Sequence, residues 1–319
     1  MLLALHEVRI WLQSDDASLN GAWRQLFAGW LAPGPTGDAP ADISLELALV
    51  RALPSLPAGR PIFTDDGPAA GGAGLGVYRD EGQVVWLHYP DEALVKVSLG
   101  SEPGAPGIVT GTVTPGILSS GRLEDLTFTA LAPLLRRRGY YLIHAFAAAR
   151  DGRAALIVGP SRSGKTTTGL SLLLAGWHLL GNDVVLLREG PDGIYALPTP
   201  GTIHVRPPTF DLLPQIRSLP GGASIPPLLC LPAQKIVSHR QTAPLVTAVY
   251  FPRIVSQFDP KRQRLNSAIG LARLMEASID RWDEVALAAH VDLLARLSTQ
   301  AIAYQLHLGT NVAYLPRLF

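Results

Sequence analysis

The residues best suited to chemistry in this chain form one short segment, GPSRSGKT, at residues 159–166. The segment fits G-x-x-x-x-G-K-[ST], in which glycines let backbone N–H groups converge on phosphate oxygens and the lysine adds positive charge. The hydroxyl that follows the lysine is suited to Mg²⁺. The pattern predicts a nucleotide site, with Thr166 at the metal. The residues assigned to the nucleotide are Gly159, Pro160, Ser161, Arg162, Ser163, Gly164, Lys165, Thr166 and Thr167.

The flanking sequence predicts a strand before this loop and a helix after it. Residues 153–158, RAALIV, form a short apolar run, and apolar residues recur at helical spacing from Lys165 to Gly176. A helix that begins at the loop directs the positive end of its dipole towards a bound phosphate. The alternative is an ordinary turn between strand and helix, with a solvated lysine and threonine.

A hairpin signal precedes the loop. Asp151-Gly152 favours a two-residue turn between residues 142–149 and the strand 153–158. Pairing across such a turn places His144 opposite Gly159, so we predict that His144 is a catalytic residue beside the phosphates. The alternative is a histidine in the core or at a hydrogen-bonded sheet edge.

The segment after the helix is expected to return to the phosphates. A helix of about ten residues rises roughly 15 Å, and the strand WHLLG would come back over the same distance. Asn182 and Asp183 then lie at the phosphate end, where Asp183 is expected to bind Mg²⁺ or to accept a proton from an attacking hydroxyl. The predicted catalytic set is Asp183, His144, Asn182 and Lys165. The alternative for Asp183 is a turn before the next strand.

The length of 319 residues predicts two lobes. Residues 1–121 alternate short apolar segments with Gly and Pro clusters, which predicts a β-rich N-terminal lobe with a role in substrate recognition. Residues 122–319 then form the catalytic domain. Antiparallel hairpins before and after the helix predict a mixed sheet, in an α/β domain of α+β character. The proline-rich residues 198–232 are expected to form a lid or a substrate groove.

Composition excludes several classes of partner. The chain has 27 basic and 26 acidic residues, a net charge of +1, and no basic stripe typical of nucleic-acid binders. Its N-terminus lacks the basic region of a signal peptide, and no apolar run is long enough to span a membrane. A lone Cys230 fits a reducing compartment. We therefore expect a cytoplasmic protein that binds neither nucleic acid nor membrane.

His144, the loop and the segment GWHLLGNDVVLL at residues 176–187 resemble the C-terminal catalytic domain of the HPr serine kinase/phosphorylase family. That family combines a histidine, a P-loop, and G-H-x-L followed by two aspartates and a strand. The resemblance covers residues 142–187 and is closest to HPr-kinase-like peptide kinases, including those of lasso-peptide biosynthesis. It implies the mixed-sheet P-loop kinase fold shared with phosphoenolpyruvate carboxykinase, with ATP and Mg²⁺ as cofactors. It also implies phosphoryl transfer to a Ser or Thr hydroxyl of a peptide or protein, such as the precursor of a modified natural product.

Asn182 departs from the family pattern because it stands where the first aspartate belongs, and a carboxamide cannot accept a proton. Asp183 or His144 then serves as the base, or positioning alone supports a slow reaction, or catalysis is lost. Three functions stay open at this point. They are a peptide serine or threonine kinase, a small-molecule kinase on the same fold, and a nucleotide-binding regulatory protein with weak or no catalysis.

Overall fold

A computed structural model describes residues 1–32, 41–65, 74–80, 84–100, 105–219, 229–232 and 243–319. Contacts divide the chain into two compact units, Met1–Arg138 and Gly139–Phe319. This division differs from the predicted one after residue 121, because the helix at Leu123–Arg136 packs within the first unit. In that helix, Thr127 accepts a hydrogen bond of 3.2 Å from the indole N–H of Trp23.

The first unit is rich in β-structure. Its strands in the described residues are β1 (Leu2–Leu5), β2 (Val8–Gln13), β3 (Ile43–Leu49), β4 (Phe63–Asp65), β5 (Leu75–Arg79), β6 (Val84–Tyr89), β7 (Ala93–Ser98) and β8 (Gly107–Val113). They form one sheet in the order β1-β2-β3-β8-β7-β6-β5-β4. The helices are α1 (Ala17–Leu26), α2 (Gly116–Ser119) and α3 (Leu123–Arg136). A role of this unit in substrate recognition stays a prediction.

The second unit is a mixed α/β structure. Its strands are β9 (Tyr141–Ile143), β10 (Ala145–Arg150), β11 (Arg153–Val158), β12 (His178–Gly181), β13 (Val185–Gly190), β14 (Gly193–Leu197), β15 (Thr202–Val205), β16 (Leu229–Pro232), β17 (Leu245–Ile254), β18 (Lys261–Arg264) and β19 (Ile302–Leu308). Its α-helices are α4 (Lys165–Leu174), α5 (Pro207–Leu212), α6 (Ser267–Glu276) and α7 (Glu284–Gln300), with 3₁₀ turns at Pro214–Ser218 and Val312–Leu318. Among the described residues, none of the helices combines the length and the apolar character needed to cross a bilayer.

The strand directions bring several carboxyl ends to one edge of the main sheet. Strand β10 is antiparallel to both β11 and β12, so β11 and β12 run in the same direction on either side of it. Strand β17 is parallel to β11, and β19 is parallel to β17. The loop after β11 and the turn after β12 therefore emerge at the same edge of the sheet. This agrees with the prediction that the chain returns to the loop after the helix. The hairpin β13–β14 makes this sheet mixed.

Helices cover the two faces of this sheet separately. Leu170, Leu172 and Leu173 of α4 pack on one face, in a buried cluster with Phe146 and Ile157. A second buried cluster joins α6 and α7 to the opposite face, where alternate residues of the same strands point. Its members include Leu274, Leu293, Leu294, Leu297, Leu156 and Val158. Alternation along β11 thus fixes α4 on one side and the α6–α7 pair on the other.

The contact between α4 and β10 depends on a glycine. A Cβ atom built at Gly169 would overlap the ring of Phe146, whereas one built at Gly21 in α1 would have no neighbour within 4 Å. We expect Gly169→Ala to lower the free energy of unfolding by about 1–3 kcal/mol through overpacking, although alanine is the better helix former. Chemical denaturation followed by circular dichroism measures the change.

Gly21→Ala is the matched control, and we expect it to raise the free energy of unfolding by about 0.5–1 kcal/mol. Adding Phe146→Leu to Gly169→Ala should recover part of the loss. Equal effects of Gly169→Ala and Gly21→Ala would contradict this account of how α4 is held.

Candidate functional site

The loop at residues 159–164 connects β11 directly to α4, in the predicted order of strand, loop and helix. Gly164 has φ 102°, and a Cβ atom there would overlap the side chain of Leu308. A Cβ atom at Gly159 would lie 2.9 Å from Ser163 Oγ. The backbone conformation requires glycine at Gly164, whereas a Cβ atom at Gly159 would only force the Ser163 hydroxyl to move.

Polar groups of the loop are left for a ligand. None of the described side chains caps the N-terminus of α4 at Gly164, so its first N–H groups keep their hydrogen-bonding capacity. Ser163 Oγ is buried and has no hydrogen-bond partner among the described residues. A phosphate at the N-terminus of α4 would satisfy both the N–H groups and this hydroxyl, so the residues present fit a nucleotide.

Lys165, the first residue of α4, is buried, with 7% of its surface exposed. Its Nζ donates hydrogen bonds to the carbonyl oxygens of Gly159 at 2.7 Å and Pro160 at 3.1 Å. Burial lowers the pKa of Lys165 from 10.5 to about 8, and the nearby carboxylate of Asp183 opposes this shift. Lys165 and Asp183 are therefore near enough for the carboxylate to favour the charged form of the lysine.

Asp183 occupies a tight turn between β12 and β13. The N–H of Val184 donates to the carbonyl oxygen of Asn182 at 2.8 Å, and the central residue Asp183 has φ 63°. A hydrogen bond between the carbonyl of residue i and the N–H of residue i+2 defines a γ-turn. The form with positive φ at its central residue is the rare and strained one. Aspartate is among the residues that tolerate this region best. The role of Asp183 at the metal or as a base stays a prediction.

Thr199 and Gly181 hold this turn in place through close contacts. Thr199 is buried, donates its hydroxyl to Val184 O at 2.7 Å, and donates its N–H to Leu180 O at 2.8 Å. A Cβ atom at Gly181 would overlap the Thr199 hydroxyl and would lie 2.6 Å from Val184 O. Thr199 was not predicted, because it lies in the proline-rich segment and no local pattern marks a residue that contacts a distant turn.

Asn182 has a role that its sequence position did not suggest. It is buried, and its Nδ2 donates to Asp183 Oδ2 at 3.1 Å and to Thr202 O at 2.9 Å. Both amide protons are therefore used, one of them to orient the neighbouring carboxylate. A carboxylate at this position could donate neither bond and would repel Asp183.

The register of the hairpin β10–β11 is the predicted one. Ala145 pairs with Val158 and Arg150 pairs with Arg153, across a turn in which Asp151 and Gly152 both have positive φ. His144 directly precedes β10, and its N–H donates to Ala277 O at 2.7 Å. The β10–β11 pairing ends at Ala145 and the chain bends at His144, so the predicted pair of His144 with Gly159 is not formed; the side chain of His144 is half-buried. A catalytic role for His144 stays a prediction.

The remaining predicted residues lie on the loop and the first turn of α4. Pro160, Ser161 and Arg162 are exposed, and Arg162 has φ 64°. Thr166 is half-buried. Thr167 forms a hydrogen bond of 3.1 Å with Thr209 of α5. This contact ties the proline-rich segment to the start of α4, although part of that segment lies outside the described residues.

Comparison with known proteins adds little to this geometry. The sequence matches no protein-family model and no curated protein. Among solved structures, the chain is similar to the Hpr(Ser) kinase/phosphatase from Coxiella burnetii, with 13% sequence identity. The alignment covers 56% of this chain and 89% of that one, at a TM-score of 0.25. A similarity of this size assigns neither a family nor an activity.

The pKa of Lys165 predicts how nucleotide affinity depends on pH. Above a pH of about 8 the free protein loses the charge on Lys165, so binding of a phosphate must first restore the proton. We expect the affinity for ADP to be flat below this pH and to fall by up to about tenfold per pH unit above it. Calorimetric titrations from about pH 7 to about pH 10 measure the slope.

Two variants test the cause of this slope. Lys165→Arg keeps its charge throughout and should show no such fall, whatever its absolute affinity. Asp183→Asn removes the carboxylate that supports the charged form, so the fall should begin at lower pH. An affinity of the unmodified protein that stays constant to about pH 10 would contradict the assignment of Lys165 to the phosphates.

Proposed function

We propose that this protein is an ATP-dependent kinase that transfers the γ-phosphoryl group to a Ser or Thr hydroxyl of a peptide or protein. The observation that carries the proposal is the position of Lys165 and Asp183 at one edge of the sheet, Lys165 after the complete loop that follows β11 and Asp183 in the turn that follows β12. Phosphoryl transfer needs a cation at the phosphates and a carboxylate that binds the metal or accepts the proton of the attacking hydroxyl. This sheet edge presents both.

The loop and Lys165 would hold the β- and γ-phosphates, with the N-terminus of α4 directed at them. The Thr166 hydroxyl and the Asp183 carboxylate are oxygen ligands of the kind that Mg²⁺ prefers, together with phosphate oxygens. Bound Mg²⁺ would neutralise charge that develops on the phosphates. The acceptor oxygen forms a bond to the γ-phosphorus as the bond to the β-phosphate oxygen breaks, ADP leaves, and Asp183 takes the proton of the acceptor hydroxyl.

The acceptor class rests on the resemblance of residues 142–187 to HPr-kinase-like peptide kinases. A precursor peptide of a modified natural product, such as a lasso peptide, is the acceptor that this resemblance favours. The proposal includes a cytoplasmic location, where ATP is available, and partners limited to nucleotide and acceptor. It assigns His144 to the γ-phosphate or the acceptor, because His144 directly precedes β10, whose first residue Ala145 pairs with Val158 next to the loop.

A second function is supported by Asn182. Asn182 stands where the HPr serine kinase/phosphorylase family has an aspartate. Its amide donates hydrogen bonds to Asp183 and Thr202. A protein with this arrangement can bind nucleotide without fast transfer and act as a nucleotide-dependent regulator. That function would replace the kinase if the unmodified protein transferred nothing to any peptide while Asn182→Asp gained transfer.

The direct test is transfer of label from γ-labelled ATP to Ser- and Thr-containing peptides in the presence of Mg²⁺. We expect measurable transfer by the unmodified protein, and Asp183→Asn should reduce the rate by about 10²- to 10⁴-fold because the carboxylate is lost. Binding of ADP to this variant should stay measurable. Lys165→Ala should weaken nucleotide binding and remove transfer.

Asp151→Asn is the matched control for Asp183→Asn. Asp151 also has positive φ, 52°, but lies in the turn that precedes β11, at the end of this strand away from the loop. It should leave transfer unchanged. The proposal fails if Lys165→Ala binds ADP as tightly as the unmodified protein, or if Asp183→Asn and Asp151→Asn transfer at the same rate.

A further inference from the structure

Three basic side chains lie in a row at the edge of the main sheet that carries the phosphate-binding loop. In the register of β17, β19 and β18, Arg253 pairs with His307, and His307 pairs with Lys261. Directly paired residues project from the same face of a sheet, and neighbouring strands lie about 4.8 Å apart. The three side chains therefore form a basic row about 10 Å long on one face of the sheet.

The basic row lies next to the loop. Arg253 directly precedes Ile254, whose Cγ1 lies 3.9 Å from the position of a Cβ atom built at Gly164. His307 directly precedes Leu308, which such an atom would overlap. Leu308 packs in the buried cluster with α4, and side chains alternate between the two faces along a strand. The row therefore projects from the face opposite α4.

The cations of the basic row are not balanced by neighbouring acids. Arg253 and Lys261 are exposed, and His307 is half-buried. Within the described part of the chain, none of these three side chains forms a hydrogen bond or an ion pair. Asp259, two residues before Lys261, instead accepts a hydrogen bond of 2.9 Å from the side-chain amide of Asn311. Basic groups aligned across strands repel one another, so a bound anion would stabilise this arrangement.

The surroundings of the row on the same face are also positive. Arg273 of α6 donates to Gln305 Oε1 at 2.8 Å and lies over the ring of Phe251. Glu276, one turn later in α6, forms no ion pair with the row among the described residues. The residues of the second unit that are not described, 220–228 and 233–242, contain neither Asp nor Glu. The second unit thus supplies no counterion for the row.

The shape of the row favours an acidic peptide over a small anion. The row is open and about 10 Å long, so one phosphate or carboxylate would contact only part of it. An extended peptide with several carboxylates would contact all three side chains, each of which donates hydrogen bonds that carboxylates accept. Ile254 and Phe258 are 66% and 71% exposed beside the row and offer apolar contact to the same peptide.

We propose that the basic row binds acidic residues of the acceptor peptide. This inference rests on the proposed function, because it places the acceptor at the same sheet edge as the loop and Asp183. The attacking hydroxyl would lie near the start of β10, between Asp183 and the loop. Three strand spacings, about 14 Å, separate β10 from β19, and an extended peptide covers this distance in about four residues. The acidic residues are therefore expected about four positions from the acceptor Ser or Thr.

The probe is a fluorescein-labelled peptide, Glu-Glu-Glu-Gly-Gly-Ser-Gly-Gly-Glu-Glu-Glu, which carries acids at this distance on both sides of the serine. Its matched control has Gln in place of every Glu. Fluorescence anisotropy with the full chain and ADP measures the affinity of each peptide. We expect the Glu peptide to bind at least about tenfold more tightly than the Gln peptide, and this difference should decrease as salt is added.

Charge reversal locates the site. Lys261→Glu should weaken binding of the Glu peptide by about fivefold or more, because one attraction becomes a repulsion. Arg264→Glu is the matched control: Arg264 is exposed on the same strand, but it pairs with Tyr304 and projects from the other face. It should leave the affinity within about twofold of that of the unmodified protein. The double variant Arg253→Glu/Lys261→Glu should prefer a peptide with Lys in place of every Glu.

Equal binding of the Glu and Gln peptides overturns the inference, and so does an equal loss of affinity in Lys261→Glu and Arg264→Glu. If Lys261→Glu weakens ADP binding as much as peptide binding, the row belongs to the nucleotide instead. Tighter binding of a ten-nucleotide oligothymidylate than of the Glu peptide would also overturn the peptide assignment.

Transfer from γ-labelled ATP separates this inference from the proposed function. Lys261→Glu should raise the KM for the Glu peptide by about fivefold or more and leave kcat within about twofold, because the row positions the acceptor and takes no part in the chemistry. Transfer with the same KM for the Glu and Gln peptides contradicts the inference alone. Binding of the Glu peptide that depends on Lys261, without transfer to any peptide, contradicts the proposed function and supports the acidic-peptide site.

Discussion

The second unit must accommodate the buried ammonium of Lys165. A buried positive charge is unfavourable unless it is hydrogen-bonded and faces a negative group. Gly159 O and Pro160 O supply the hydrogen bonds, and Asp183 supplies the negative charge. Lys165 begins the helix that follows β11, and Asp183 lies in the turn that follows β12, so the charge balance depends on the order and direction of these two strands.

The sheet meets this requirement through β10. Because β10 is antiparallel to both of its neighbours, the loop after β11 and the turn after β12 open at one edge. The strained turn at Asp183 then exposes a carboxylate there, and Asn182 orients it by donating to Oδ2 at 3.1 Å. Thr199 and Gly181 hold the turn in place. Strain at Asp183 is therefore compensated by contacts from another part of the chain, as is usual for such residues.

Sequence patterns predicted the parts of this site that local chemistry determines. The turn residues Asp151 and Gly152 determined the register of β10 and β11, which places Ala145 opposite Val158, because both residues tolerate positive φ. The loop and the helix that follows it were also predicted, from the spacing of the glycines and of the apolar residues. The contacts of Thr199, Thr202 and Thr209 were not predictable, since they join the proline-rich segment to turns and helices distant in sequence. The same limit applies to α3, whose place in the first unit depends on packing.

The central claim is that the loop at residues 159–166 and Asp183 form one phosphate site. A crystal structure of the full chain with ADP and Mg²⁺ tests it most directly. The claim predicts the β-phosphate at the N-terminus of α4, Lys165 Nζ turned from the Gly159 and Pro160 carbonyls to a phosphate oxygen, and the Asp183 carboxylate directed at Mg²⁺. Nucleotide bound away from the loop, or Lys165 still on both carbonyls with the phosphates elsewhere, would contradict it.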